Sequence, residues 1–342
     1  MAAPGTRIPE ELILAALTHA PLPARGATPA DLARSLAALG VEAIARDDPR
    51  YPQGWRELDD APPVLFRHGG ALPALDDAVA IVGSRAATPY GLRVARRLAG
   101  DLAAAGVTVV SGLARGIDAA AHEGALESGG HTVAVLPSGL DAIAPAHHEA
   151  LARRIATRGA LVSERASGPP PHRAVFVQRN RLIAALAAVT VVVEASATSG
   201  ALHTARAARR LGRVLMAVPG DIDREVARGT LDLLRDGARP CADAGDVLAA
   251  LASRGAAGEP ERPLRASRPR RAAHEPAPSA VTGSDPVTRR LWAALAAGGS
   301  TVETLAAAAG LSVGETQARL LSLEWAGLAR RVAGGRWRAG RT

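Results

Sequence analysis

The sequence predicts an α/β fold: an extended Rossmann-like, doubly wound and mostly parallel sheet, with a small N-terminal helical domain and a C-terminal winged-helix domain. Three observations carry this. Between Ala78 and Leu251, short apolar runs alternate with longer helical patterns. Those runs are continuously apolar rather than alternating, as strands buried on both faces require. Beyond a stretch rich in Pro and Arg, residues 287–342 return to helical periodicity and finish on a hairpin pattern.

The segment 1–60 reads as a separate helical domain. Glu10 to His19 and Pro29 to Leu39 have helical spacing, the second stopped by Gly40, and Val41 to Arg46 reads as a third short helix before Asp47-Asp48-Pro49. The main domain spans 61–251. Val64-Leu65-Phe66 leads into it as a strand, and Val79–Val82, Val107–Val110, Thr132–Leu136, Ala160–Val162, Thr190–Val193 and Val214–Val218 are the other strand runs. Helical stretches between them include Gly91–Ala105, Ile117–Ser128, His147–Thr157, Arg181–Ala188 and Ser199–Leu211. Residues 252–286 carry six prolines and the cluster Arg265, Arg268, Arg270 and Arg271, the composition of an extended basic linker. In 287–342, Thr288–Ala297 is a helix, and Val302–Ala309 with Val313–Glu324 form a helix-turn-helix. Leu328–Trp337, with Gly334-Gly335 at its centre, forms a wing.

Composition narrows the chemistry. The 342 residues have a formal net charge of +8, and all 41 basic residues are arginine. Such a balance favours polyanionic partners, although high alanine content alongside it also fits a coding bias. Without lysine there is no phosphate-binding G-x-x-x-x-G-K-[ST] loop and no Schiff-base nucleophile. The single Cys241 excludes an internal disulfide framework. His122-Glu123 is followed by Leu126 where a zinc-binding H-E-x-x-H would have its second histidine, and no G-x-G-x-x-G occurs. Asp118 and Glu164 read as loop braces. No catalytic residue, metal or cofactor is therefore expected. Met1–Leu17 lacks the pattern of a signal peptide, and no apolar run reaches membrane-spanning length, so a cytoplasmic protein is expected.

The loops after the strands are more informative. Gly83-Ser84-Arg85 follows one strand run, and Ser111-Gly112-Leu113-Ala114-Arg115-Gly116 follows the next. A strand, a glycine turn and a helix N-terminus direct backbone N–H groups at one point, which suits an anion, and each loop adds a guanidinium fork. Ser199-Gly200 opens a further helix after a strand. Phe176, one of two phenylalanines, sits between Pro169-Pro170-Pro171-His172-Arg173 and the polar run Gln178-Arg179-Asn180-Arg181. It reads equally as a core aromatic at a loop–helix junction and as a platform on which a base stacks.

Taken in order, these stretches resemble the DNA-processing protein A family (DprA, also called Smf) over residues 50–250. The matching pieces are Ile81–Arg85 with Thr88 and Tyr90-Gly91; Val110–Asp118 with Ala121-His122; Gly139-Leu140-Asp141; Ser163-Glu164; Arg179–Ala184; Val193-Glu194-Ala195; Ser199-Gly200 with Thr204-Ala205; and Val218-Pro219-Gly220. Ala144-Pro145 stands where the family has Tyr-Pro, and Phe176-Val177 where Phe-Pro is common. The resemblance implies a single-stranded DNA-binding protein that protects incoming DNA in natural transformation, helps load the RecA recombinase and works as a homodimer. It implies phosphate contacts from Arg85, Arg115 and Arg173, and a base contact from Phe176. Gly83, Ser84, Ser111, Gly112, Gly116, Arg179, Asn180, Ser199 and Gly200 complete the expected phosphate-binding set.

The alternative is an enzyme: a nucleotide-binding phosphoribohydrolase of the lysine-decarboxylase-like group, with Glu194 as its candidate acid. That group carries a P-G-G-x-G-T-x-x-E loop, where this chain has Pro137-Ser138-Gly139-Leu140-Asp141. The winged helix reads either as a duplex-DNA module acting through Val313–Glu324 or as a protein-docking module; residues 287–342 hold 8 Arg and 3 Glu, a net of +5.

Overall fold

The structure is a computed structural model. It describes residues 8–17, 28–168, 171–256, 286–296, 301–325, 329–332 and 336–339. The chain divides into two compact units, Met1–Leu264 and Arg265–Thr342.

The first unit is built on a nine-stranded sheet. Its strands are β1 (Val41–Ala45), β2 (Val64–Gly69), β3 (Ala78–Val82), β4 (Thr108–Ser111), β5 (Thr132–Val135), β6 (Ala160–Ser163), β7 (Val189–Val192), β8 (Val214–Ala217) and β9 (Arg239–Pro240). Their order is β1-β2-β6-β5-β4-β3-β7-β8-β9. From β6 to β9 all neighbours are parallel; β1 and β2 add an antiparallel edge. The chain builds outward from β3 to β6 on one side, then returns to lay β7 against the other flank of β3. The switch point between β3 and β7 is where an open α/β sheet offers a ligand crevice, at the carboxyl ends of its strands.

The helices are α1 (Glu10–Leu17), α2 (Pro29–Ala38), α3 (Gln53–Arg56), α4 (Pro89–Ala104), α5 (Ile117–Glu127), α6 (Glu149–Arg158), α7 (Arg173–Ala185), α8 (Ala201–Arg210), α9 (Arg228–Arg235) and α10 (Ala244–Ala256). Strand side chains alternate between two cores. Ala80, Val82, Val110 and Val192 pack with Trp55 of α3, Leu182 of α7, Ala205 of α8 and Leu233 of α9. Val79, Ile81, Val109 and Val191 pack with Leu98 and Leu102 of α4, Ile117 of α5 and Val247 of α10. Both faces are covered, as continuous apolar strands demand.

The N-terminal segment departs from expectation. Val41–Ala45 is a strand, paired antiparallel with β2, and not a third helix. Its buried residues, Val41 and Ile44, are three apart, a spacing a helix also uses. Ile13 of α1 and Leu36 of α2 share a core with Phe66 and Leu161 of the sheet, so the boundary expected at residue 60 falls inside one packed unit. Polar ties reinforce the join: Trp55 donates its indole N–H to the Leu182 carbonyl at 3.0 Å, and Arg181 bonds Asp60 at 2.6 Å and Glu164 at 2.8 Å. Glu164 is thus the brace expected of it. Helix α7 also begins earlier than expected, at Arg173, and carries Phe176, Arg179 and Asn180 on its first turns. Helix α10 runs to Ala256, past the expected start of the linker; 257–285 lie outside the described residues.

The second unit contains α11 (Pro286–Ala296), α12 (Val302–Ala309) and α13 (Val313–Trp325), with an antiparallel pair β10 (Ala329–Val332) and β11 (Arg336–Ala339). Gly310 ends α12 in the left-handed conformation at φ +69°, which an L side chain adopts only at a cost. Leu291, Leu305, Leu320, Leu323 and the fully buried Trp337 form its core. This is the expected helix-turn-helix and wing; the tip Gly334-Gly335 lies outside the described residues. Among the described residues, no helix is long and apolar enough to cross a membrane.

Candidate nucleic-acid interface

Three loops meet at the carboxyl edge of the sheet, following β3, β4 and β7, which are neighbours. Helix α7 touches each of them. Phe176 reaches the first loop: the Arg85 guanidinium lies 4.5 Å from its ring centroid. Arg179 reaches the second, donating to the Gly112 carbonyl at 2.6 Å and to the Val135 carbonyl. Asn180 reaches the third, its side-chain amide donating to the Gly200 carbonyl at 3.0 Å. The helix thus sets the spacing of the loops.

The sequence predicted Arg179 as a phosphate contact, and here the structure differs. Arg179 is only 2 % exposed. A Cβ on Gly112 would sit 2.5 Å from its guanidinium, so glycine there admits the arginine. Burial draws the guanidinium down to about 10, with Asp118 opposing and Arg85 adding to the fall. Asp118 is also buried and accepts from the backbone N–H groups of Gly112 at 3.2 Å and Ala114 at 3.4 Å. Burial pushes its carboxyl up, against the opposing pull of Arg179, the two N–H groups and Arg85. A buried charge needs partners of this kind. Asp118 and Arg179 hold the second loop from within.

Several loop amides expected to face an anion are likewise engaged inside the protein. Ser84 N–H donates to the Glu194 carbonyl at 2.7 Å, and the Ser84 carbonyl accepts from Ile117 N–H at 3.2 Å. The Ser111 hydroxyl donates to the Ile81 carbonyl at 2.6 Å. Gly116, at φ +80°, leaves no room for a Cβ against the Ser84 carbonyl, so the first two loops are seated on one another. Leu113 holds a left-handed φ of 56° with its side chain fully buried. Backbone held this way costs about 1–3 kcal/mol and persists only where surroundings enforce it. The sequence carried no signal for it. Ala114 after it is still buried, and Arg115, two positions on, is exposed.

Arg85 and Arg115 are therefore the exposed cations of the two loops, and among the described residues neither makes an ion pair. Phe176 is half-buried. Arg173 is the first residue of α7, and its side chain lies outside the described residues, as do Pro169 and Pro170. Ser199 accepts from Ala201 N–H at 3.3 Å, and Gly200 is exposed with open space where a Cβ would stand. Glu194 is 5 % exposed, and both its carboxylate oxygens accept from Thr88, one from the N–H at 2.9 Å and one from the hydroxyl at 2.6 Å. It fixes the start of α4. Among the described residues, no group of acidic, histidine or cysteine side chains could hold a metal.

The chain is similar to known proteins over most of its length. Residues 42–252 match the family model described as DNA recombination-mediator protein A, and residues 275–335 match a DprA winged helix domain. A Mycobacterium tuberculosis protein carrying the DprA name is 43% identical over 289 residues, covering 83% of this chain and 70% of that one. The crystal structure of DNA processing protein A from Streptococcus pneumoniae superposes with a TM-score of 0.57 at 36% identity, over 61% of this chain and 73% of that one. The Helicobacter pylori protein, whose structure was described for its single-stranded DNA binding mode, gives a TM-score of 0.56 at 30% identity, over 63% of this chain and 96% of that one. Sheet, loops and winged helix together make this chain a member of the DNA recombination-mediator protein A family.

Proposed function

We propose that the chain binds single-stranded DNA across the carboxyl edge of its sheet. The observation that carries this reading is the pairing of Arg85 with Phe176, an exposed cation set over an aromatic ring at the sheet's switch point. A base stacked on that ring brings its own phosphate toward Arg85, and Arg115 takes a neighbouring phosphate. Arg173, at the start of the same helix, and the open N-terminus of α8 at Ser199-Gly200 extend the phosphate track. Duplex DNA keeps its bases stacked and cannot offer a face to Phe176, so single strands are preferred. Arg179 and Asn180 act from behind, by fixing the loops.

The reading is of a binding protein rather than an enzyme. Glu194, the residue a phosphoribohydrolase would use, is buried with both oxygens engaged by Thr88. From the family resemblance we further propose that the protein works in the cytoplasm as a homodimer and hands its DNA to the RecA recombinase.

Competition tests this. Labelled oligo-dT bound to the full chain should be displaced by unlabelled oligo-dT and poorly by duplex of the same length. Equal displacement by both, or release of free base from a nucleoside monophosphate that stops in Glu194→Gln, would overturn the reading.

A further inference from the structure

A cleft of about 620 Å³, outside the Arg85–Phe176 pair, runs beside the outer face of α4, lined by Tyr90, Arg93, Arg97, Val218, Pro219 and Cys241 among others. Tyr90 and Arg93 also line an adjoining cleft of about 570 Å³ that reaches Glu194 and Asp221. Tyr90 stands between the two on the first turn of α4 and is 49% exposed. The other tyrosine, Tyr51, is buried with its hydroxyl donating to the Pro62 carbonyl. A large ring left in solvent at a cleft calls for a partner with a flat face.

The charges around it are distributed unevenly. Arg93 and Arg97 follow Tyr90 at helical spacing and share its side of α4, about one turn apart. Both are exposed, and among the described residues neither makes an ion pair. Arg96, on the same helix, is neutralised by Glu123 at 3.4 Å and by Glu127. In the adjoining cleft Glu194 is engaged by Thr88, and Asp221 lies 3.8 Å from Arg224. The Tyr90–Arg97 cleft has no carboxylate among its described lining residues, and its floor is apolar.

An exposed aromatic, two unpaired guanidinium groups one turn apart and an acid-free apolar floor match a nucleotide, with its base on the ring and its phosphates on the arginines. Tyr90 stands on the first turn of the helix into which the Arg85 loop leads, five residues beyond Arg85. We propose that Tyr90, Arg93 and Arg97 form a second subsite for single-stranded DNA, extending the path of a strand held at Arg85 and Phe176. This inference rests on the single-strand reading above.

The test is anisotropy of the full chain on oligo-dT of about four and about twelve nucleotides, one short enough for a single subsite and one long enough for both. Tyr90→Ala should weaken the long oligonucleotide about tenfold and leave the short one unchanged. Tyr90→Trp should retain binding, and Arg97→Ala should lower the salt slope on the long oligonucleotide by about 0.7. Wild-type affinity for the long oligonucleotide in both alanine variants, with Phe176→Ala weakening both lengths, would overturn the second subsite alone. Absence of any oligo-dT binding by the wild type would overturn both subsites. Equal weakening of both lengths by Tyr90→Ala, with a lowered melting temperature, would make Tyr90 a structural residue and overturn the proposal. So would dTMP binding as tightly as the long oligonucleotide.

Discussion

The Arg85 guanidinium stands 4.5 Å from the centroid of the Phe176 ring. The contact joins the loop after β3 to helix α7 and puts a phosphate-seeking cation beside the ring proposed to stack on a base. A cation over an exposed aromatic face contributes about 0.5–1 kcal/mol, weak enough for a base to compete with it. Arg85→Ala should therefore cost little stability. It should lower the log–log salt slope of single-strand binding by about 0.7, and Arg115→Ala should do the same. Salt titrations of binding check this, and an unchanged slope in either variant removes that residue from the phosphate track.

Arg179 should behave differently although it lies on the same helix. Arg179→Met leaves the buried Asp118 without its opposite charge and leaves the Gly112 and Val135 carbonyls without their donor. Leaving buried acceptors without their donor costs about 1–3 kcal/mol each. Chemical denaturation should show the loss directly. Full stability with a reduced salt slope would instead return Arg179 to the role of phosphate contact.

His122 predicts an acid dependence. It is fully buried, its Nδ1 is 2.7 Å from the Thr132 hydroxyl, and that hydroxyl donates to the Val109 carbonyl at 2.7 Å. The hydroxyl thus accepts from Nδ1–H of a neutral ring. Burial first, then Arg179 and His148, bring its pKa from 6.5 down to about 3. Between those values the unfolded chain binds a proton that the folded chain refuses. The stability is therefore intact above about pH 6.5 and falls at up to about 1.4 kcal/mol per pH unit below it. His131, also lowered by burial, adds to the same slope. His122→Gln should flatten the fall in thermal midpoint between pH 6.5 and about 5 without abolishing it. An unchanged slope would mean that His122 is not held neutral.

Gly116 seats the second loop on the first. Gly116→Ala must relieve a collision with the Ser84 carbonyl at a φ of +80° that alanine resists. A stability loss above about 1 kcal/mol is expected, with weaker single-strand binding because Arg85 and Arg115 lose their common frame. Unaltered melting and binding would show that the two loops are independent.

The sheet was legible because its strands are buried on both sides. Val79–Val82 and Val107–Val110 have no polar face to disguise them, and a glycine loop ends each. Val41–Ala45 was misread because an edge strand burying only Val41 and Ile44 has the spacing of a helical turn; its pairing with β2 is a tertiary fact. The start of α7 was missed for a related reason. Arg179 and Asn180 are polar where a helix against a core should be apolar, since they bond to loop carbonyls. A sequence shows that Arg179 is charged, but only the fold shows that the charge points inward. The positions of Arg85 and Arg115 in loops that follow strands were legible, whereas the approach of Arg85 to Phe176 depended on where α7 begins.

The account stands on Phe176 reading an unstacked base. The measurement that tests it most directly is fluorescence anisotropy of the full chain on oligo-dT and on duplex of matched length, across a salt series, with Phe176→Ala alongside. The account predicts single-strand preference in the wild type and a loss of about 1–3 kcal/mol in the variant, with the salt slope nearly unchanged. Equal, purely salt-driven binding to both DNAs, untouched by Phe176→Ala, would contradict it.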